Sequence, residues 1–125
     1  MGFHRWDDFP RKENPRKGNS GEVVSTENVL VKRGRIQAGT QFSGSLHRHP
    51  HDQFMVMLEG KMGMRIGDED GWVEPGGFAA VPGNVFHGVT GVGPEGAVYL
   101  EILAPGRLEY LPGYVGPDKN EYRSP

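Results

Sequence analysis

Four of the five histidines in this 125-residue chain lie between positions 47 and 87, and three of them fall in the run Leu46-His47-Arg48-His49-Pro50-His51. On an extended strand, residues i and i+2 point to the same side, so His47 and His49 project two imidazoles onto one face. A pair placed like that suits two cis positions on a single metal ion. Pro50 breaks the strand ladder, so His51 need not share their direction. An apolar strand begins at Gln53, an amide, and carries Met55 and Met57 on its face. His87 follows a tight turn, from which a third imidazole can reach in from a separate strand. Arg48 lies between the paired histidines, faces away from them, and reads as structural.

The elements that must hold these side chains are short strands. Twenty Gly and ten Pro make up 30 of 125 residues, and only 35% of the chain is hydrophobic. Both residue types are disfavoured in helix interiors, which excludes a helical bundle. One domain is the size expected for this length. With 14 basic and 16 acidic residues the net charge is −2. That balance gives no pull toward nucleic acid or an anionic membrane. The absence of cysteine excludes disulfides, thiolate metal sites and cysteine nucleophiles. No run of 18 apolar residues is present and the first residues lack an apolar signal-peptide core, so a cytoplasmic protein is expected.

Strands are expected at 29–36, 53–58, 62–66, 72–74, 78–81, 85–89 and 97–103. Met62, Met64 and Ile66 alternate with polar or small residues, the period-2 signature of a half-buried strand. Gly67–Gly71 reads as a hairpin loop, and 91–96 as a second loop. Pro75-Gly76-Gly77 and Pro82-Gly83-Asn84 are turns. About seven strands with regular turn signals predict an antiparallel sandwich or barrel over residues 23–103. Residues 1–22, with the basic cluster Arg11, Lys12, Arg16 and Lys17, read as a solvated N-terminal arm. Residues 104–125, rich in Pro and Gly, read as a tail wrapping the surface. On the last strand Val98, Leu100 and Ile102 form one face, and Tyr99, Glu101 and Leu103 the other. If the second face looks inward, Glu101 is an acid among apolar neighbours, suited to proton transfer. The competing reading is a rim carboxylate paired with Arg65 or Arg107. Tyr99 is either a second acid/base group or a packed aromatic. The four methionines Met55, Met57, Met62 and Met64 read as barrel filling, or else as a deformable lining for an apolar substrate.

The two histidine stretches resemble the paired motifs of the cupin superfamily. His47-Arg48-His49, three residues, Gln53, six residues and Gly60 match the first motif's spacing, with Gln53 where a carboxylate is usual. Gly76, five residues and Pro82-Gly83-Asn84-Val85-Phe86-His87 match the second, with Asn84 replacing a Gly. Asn also enters the left-handed backbone region, so the turn survives that change. The resemblance implies a single-domain jelly-roll β-barrel, all-β and antiparallel. It also implies one divalent transition metal (Zn, Ni, Mn or Fe) held by His47, His49, Gln53 and His87, with His51 in place of Gln53 as the alternative. All four ligands would be neutral, which favours an anionic substrate.

Within the superfamily the chain most resembles the small single-domain KdgF group of pectin-degradation proteins. The shared stretches are Arg5-Trp6-Asp7-Asp8-Phe9-Pro10, 47–53 and 100–111. Members of that group convert 4,5-unsaturated uronates to the linear ketone, using an acid and an aromatic on the last strand and an Arg just beyond. The corresponding residues here are Glu101, Leu103 and Arg107, so the acid is kept one methylene longer and the aromatic is lost. Three functions follow as expectations. The first is a metal-dependent lyase or isomerase acting on a small anionic or enolisable acid, with Glu101 moving the proton. The second is a metal-dependent oxygenase or polyketide-type cyclase on a phenolic or diketone-like substrate. The third is a non-catalytic small-molecule binder. A homodimer is expected in each case.

Overall fold

The computed structural model describes residues 2–13, 18–107, 111 and 120–125. After a short 3-10 turn at Trp6–Asp8, the strands are β1 (Lys12–Glu13), β2 (Asn19–Ser25), β3 (Leu30–Ile36), β4 (Leu46–Arg48) and β5 (Asp52–Ile66). They continue as β6 (Glu69–Val73), β7 (Phe78–Val81), β8 (His87–Ala104) and β9 (Glu121–Arg123). Every pairing is antiparallel, as expected for a jelly-roll barrel.

β5 and β8 are the spine. The first half of β5 pairs with β7 and with the second half of β8, which in turn pairs with β3. The second half of β5 pairs with β6 and with the first half of β8, which meets β4 at His47 and His87. Each long strand therefore serves two ladders. The sequence reading divided both, at 59–61 and at 91–96. The structure carries them through by register shifts between Met57 and Glu59, Gly60 and Met62, and Gly63 and Met64. Gly60 is what permits the first bend. Its φ is +72°, and a Cβ there would overlap the Gly96 carbonyl of β8. Glycine at such a place marks a bulge in a continuing strand as readily as a turn. The hairpin is also tighter than the five-residue loop expected, because Ile66 pairs directly with Glu69 across Gly67-Asp68.

The core lies between the two ladders. Ile36, Met55, Met57, Tyr99, Ala97 and Val81 from one ladder pack with Met62, Met64 and Val73 from the other. All four clustered methionines belong to this packed core. Val23, Leu30 and Leu103 form a smaller cluster. The outer face keeps Phe54 and Phe78 exposed, with their rings edge to face at 5.9 Å.

The N-terminal segment is more engaged than a solvated arm. β2 begins at Asn19 and buries Asn19, Gly21 and Glu22. Glu22, on the outer side, accepts hydrogen bonds from Arg33 (2.7 and 3.0 Å) and Arg35 (2.7 and 3.0 Å). Arg11 closes over it at 3.5 Å, and Arg33 lies over the Trp6 ring at 5.6 Å. The Arg35 hydrogen bond, helped by Arg33 and opposed by burial, lowers the Glu22 carboxyl to a pKa of about 2. Lys12 opens β1, while Arg16 and Lys17 lie outside the described residues. At the other end, part of the expected tail zips onto the barrel, with Leu46, His47 and Arg48 of β4 paired to Arg123, Tyr122 and Glu121 of β9. No helix among the described residues is long and apolar enough to cross a membrane.

Candidate metal centre

Two strands, β4 and β8, and the residues just after β4 bring the histidines together. His47 stands directly opposite His87 in the β4–β8 register, with ring centroids 4.4 Å apart. His49, two residues along from His47, lies 5.7 Å from His47 and 4.9 Å from His87 by the same measure. Ligand nitrogens of His47, His49 and His87 all lie within 4.8 Å of one another, so the three could hold a metal ion. His51 is buried next to His49 but is not part of that group.

The turn before His87 fixes this arrangement. Asn84 takes a φ of +65°, as its replacement of Gly requires, and its backbone N–H donates to the His49 carbonyl at 2.7 Å. The Gly83 N–H donates to Asp52 Oδ1 at 2.8 Å. Two hydrogen bonds thus clamp the Pro82–His87 turn to the segment carrying His49. The chain separation between the motifs is closed locally.

Hydrogen bonding also sets the tautomers. Nδ1 of His87 faces the Val85 carbonyl at 2.8 Å, and Nδ1 of His49 faces the His51 carbonyl at 3.1 Å. A carbonyl only accepts, so both Nδ1 atoms carry the proton and both Nε2 atoms present a lone pair. Nε2 of His87 is buried without a hydrogen-bond partner among the described residues. Nε2 of His49 faces Gln53 Oε1 at 3.1 Å. The Gln53 amide N–H donates to Met55 Sδ at 3.2 Å, which turns the amide oxygen toward the histidine. Two lone pairs face each other at the separation of neighbouring ligands on one ion, about 3 Å for bonds of about 2.1 Å. The donor set is one that a divalent transition metal fits.

Burial, with the Arg107 charge and the neighbouring imidazoles adding to it, pushes His49 down to a pKa of about 4. His87 is lowered as well, again mainly by burial, with its bond to Val85 and the Glu101 charge opposing. Both rings are therefore neutral at pH 7, the form that ligates metals.

The inward face of β8 is the one carrying Tyr99, Glu101 and Leu103, all buried, while Val98, Leu100 and Ile102 are only half-buried. Glu101 is an interior acid rather than a rim residue. Arg65 is engaged elsewhere, donating to Asp70 at 2.9 Å. Arg107 is buried, and its charge acts on both His49 and His87. Tyr99 packs in the core, and its hydroxyl donates to Asn19 Oδ1 at 3.4 Å. Arg48 points outward, bonded to Glu121 at 3.1 Å and lying over the Phe86 ring at 4.7 Å.

Sequence reasoning missed the roles of two residues. One is Met55, whose sulfur orients Gln53. The other is Lys32, buried on the inward face of β3. The alternation of Leu30, Lys32, Gly34 and Ile36 could have revealed it, since Leu30 and Ile36 must face inward.

A profile of the cupin domain family matches residues 32–103. The chain belongs to the cupin family. As a cupin its fold is similar to an RmlC-like cupin from Shewanella frigidimarina, with TM-score 0.76 and 18% identity over 89% of this chain and 96% of that one. KdgF from Halomonas sp. superposes with TM-score 0.74 and 18% identity, covering 88% of this cupin and all of that chain (100%). Oxalate decarboxylase from Bacillus subtilis gives TM-score 0.66 and 22% identity over 81% of this cupin, which spans 28% of the larger enzyme. No curated protein gives a significant sequence match to this cupin.

Proposed function

We propose that this cupin is a metal-dependent enzyme of the lyase or isomerase type, acting on a small anionic or enolisable acid. The observation that carries the reading is the facing pair His49 Nε2 and Gln53 Oε1, 3.1 Å apart, with their other polar atoms already bonded elsewhere. His47, His49, Gln53 and His87 would hold the ion, and when bound it supplies a Lewis acid that polarises a carboxylate, carbonyl or enol oxygen. Neutral ligands leave the full charge of a divalent ion in the barrel, which favours an anionic substrate.

The chain's own residues supply the remainder. Glu101, buried and close enough to bias His87 electrostatically, would take a proton from carbon and return it to a neighbouring atom. Arg107, buried beside the histidines, holds negative charge that develops on the substrate. Tyr99 packs in the core with its hydroxyl turned to Asn19, which favours the packed-aromatic reading over an acid/base role. The likeness in fold to KdgF supports an unsaturated uronate as the first substrate to try.

Elemental analysis of protein purified without a histidine tag, beside Gln53→Ala, tests the centre. Near-stoichiometric metal in the wild type and its loss in the variant are expected. Glu101→Gln should keep the metal and lose turnover of unsaturated uronates or other enolisable acids by about 100-fold or more. Full metal in Gln53→Ala, or undiminished turnover in Glu101→Gln, would overturn the assignment.

A further inference from the structure

β5 changes the chemistry of its outer side part-way along. Up to the bulge at Gly60 its outward residues are Phe54, Val56 and Leu58, alternating with the buried Gln53, Met55 and Met57. Beyond it they are Lys61, Gly63 and Arg65, alternating with the core residues Met62 and Met64. An antiparallel sheet with one face in water normally keeps that face polar. The second ladder obeys this rule, with Arg65 donating to Asp70 at 2.9 Å and Lys61 lying over the Trp72 ring at 4.7 Å. The first ladder breaks it.

The register carries the apolar side across neighbouring strands. Phe54 stands between Ala80 of β7 and Ile102 of β8, and Ile102 stands opposite Val31 of β3. Two residues along β5, Val56 lies between Phe78 and Leu100. Phe78 is 65% exposed and Phe54 45%. Those two rings alone leave about 200 Å² of apolar surface in water. With Leu58 and the half-buried aliphatic residues of β3, β5 and β8, the patch reaches on the order of 500 Å². A standard interface buries about 800 Å² per partner, about two-thirds of it apolar between identical chains, so the patch is large enough to form its core.

Charge is divided across this face. On the β3 side Arg11, Arg33 and Arg35 outnumber by one the acids they meet, Glu22 and Asp7. On the β5 side stands the exposed Glu59, in register with Val98, which is in register with Arg35. Glu59 enters no ion pair among the described residues. Acid and cation thus flank β8 in a single row. Two copies of such a face can stack about a twofold axis that runs along β8 or across it. The first sets β8 on β8 and Glu59 of each copy over Arg35 of the other. The second leaves Glu59 on Phe54 and Arg35 on Val31. Only the first pairs the charges.

We propose that this face packs against the same face of a second copy of the chain, about a twofold axis along β8, with Glu59 of each copy bonded to Arg35 of the other. Aligned sheets cross at about 30°, which keeps this strand-on-strand order. The homodimer expected from the sequence thereby has a surface and an orientation. The contact also braces the candidate site from behind, since Phe54 lies between Gln53 and Met55, and Leu100 and Ile102 flank Glu101.

Sedimentation velocity of the untagged chain, from about 1 to 100 μM, tests this. The wild type should be dimeric at about 10 μM and above. Leu100→Lys sets two ammonium groups against each other at the axis and should weaken pairing by at least about 100-fold. Glu59→Arg should weaken it by about tenfold or more, while Lys61→Glu on the polar ladder should leave it unchanged. A wild type that stays monomeric at about 100 μM would overturn the proposal. So would a dimer that survives in Leu100→Lys, or one lost in Lys61→Glu. Glu59 is exposed, so Glu59→Arg decides the matter even if Leu100→Lys fails to fold. An unweakened dimer in that variant would overturn the pairing of Glu59 with Arg35, and with it the orientation.

Discussion

Gln53 donates its amide N–H to Met55 Sδ at 3.2 Å, so the orientation of a candidate ligand is set by a side chain two residues along the same strand. A thioether is a weak acceptor, but it is the group that distinguishes the two ends of this amide. Met55→Leu keeps the volume and removes the sulfur, which should cost under about 1.5 kcal/mol in stability. Metal affinity should nevertheless fall by about tenfold, the scale of other residues that orient ligands. Thermal melting measures the first, and competition with a chelator the second.

The competing ligand assignment is separable by mutation. His87→Ala should abolish stoichiometric metal binding, because its Nε2 is buried and directed into the histidine group. His51→Ala keeps the backbone carbonyl that accepts from His49, and should retain the metal. Metal lost in His51→Ala would put His51 in place of Gln53, and metal kept in His87→Ala would overturn the histidine centre itself. Elemental analysis of the two proteins decides it.

Acid should weaken the metal-free protein in a defined window. His49 falls from an ordinary 6.5 to about 4 in the folded chain. Between those values the unfolded chain binds the proton and the folded one does not, so stability declines as pH falls from about 6.5 to 4. At about 1.36 kcal/mol per unit, this residue alone accounts for about 3 kcal/mol. Urea midpoints of the apoprotein from pH 7.5 to 4.5 should show the decline, and His49→Gln should flatten it.

Glu22 acts in a different range. Its carboxyl, lowered to about 2, contributes stability that is present above about 4.5 and lost as pH falls through 2. Glu22→Gln leaves Arg11, Arg33 and Arg35 without their common carboxylate and should destabilise by about 1.5–3 kcal/mol at neutral pH. Because the cluster lies outside the barrel, metal content should not change. Melting curves with matched metal analysis check both halves.

The histidine spacing was legible because a strand's two-residue period needs no tertiary information. The inward set Tyr99, Glu101 and Leu103 was readable for the same reason. Gly60 and Gly96 were harder, since a left-handed glycine reads as a turn until the partner strand is known to continue past it. β2 went unseen because Asn19, Gly21 and Glu22 are polar or small. Their burial comes from Tyr99, from the Lys32 stem and from three arginines distant in sequence. Met55 was legible as a core residue on the face of Gln53, but not as the group that orients it, since an amide held by sulfur is a property of side-chain geometry.

The pairing of His47 with His87 has a bearing on how the protein is made. β8 is the partner of β3, β4 and β5, and follows all three in the chain. Until the ribosome has delivered β8, His47 and His49 do not have His87 to meet and β3 lacks its second partner strand. Domains dominated by such distant contacts fold slowly. A cation met by the nascent chain would find a two-histidine chelate, weak and exchangeable, so tight loading awaits the arrival of β8.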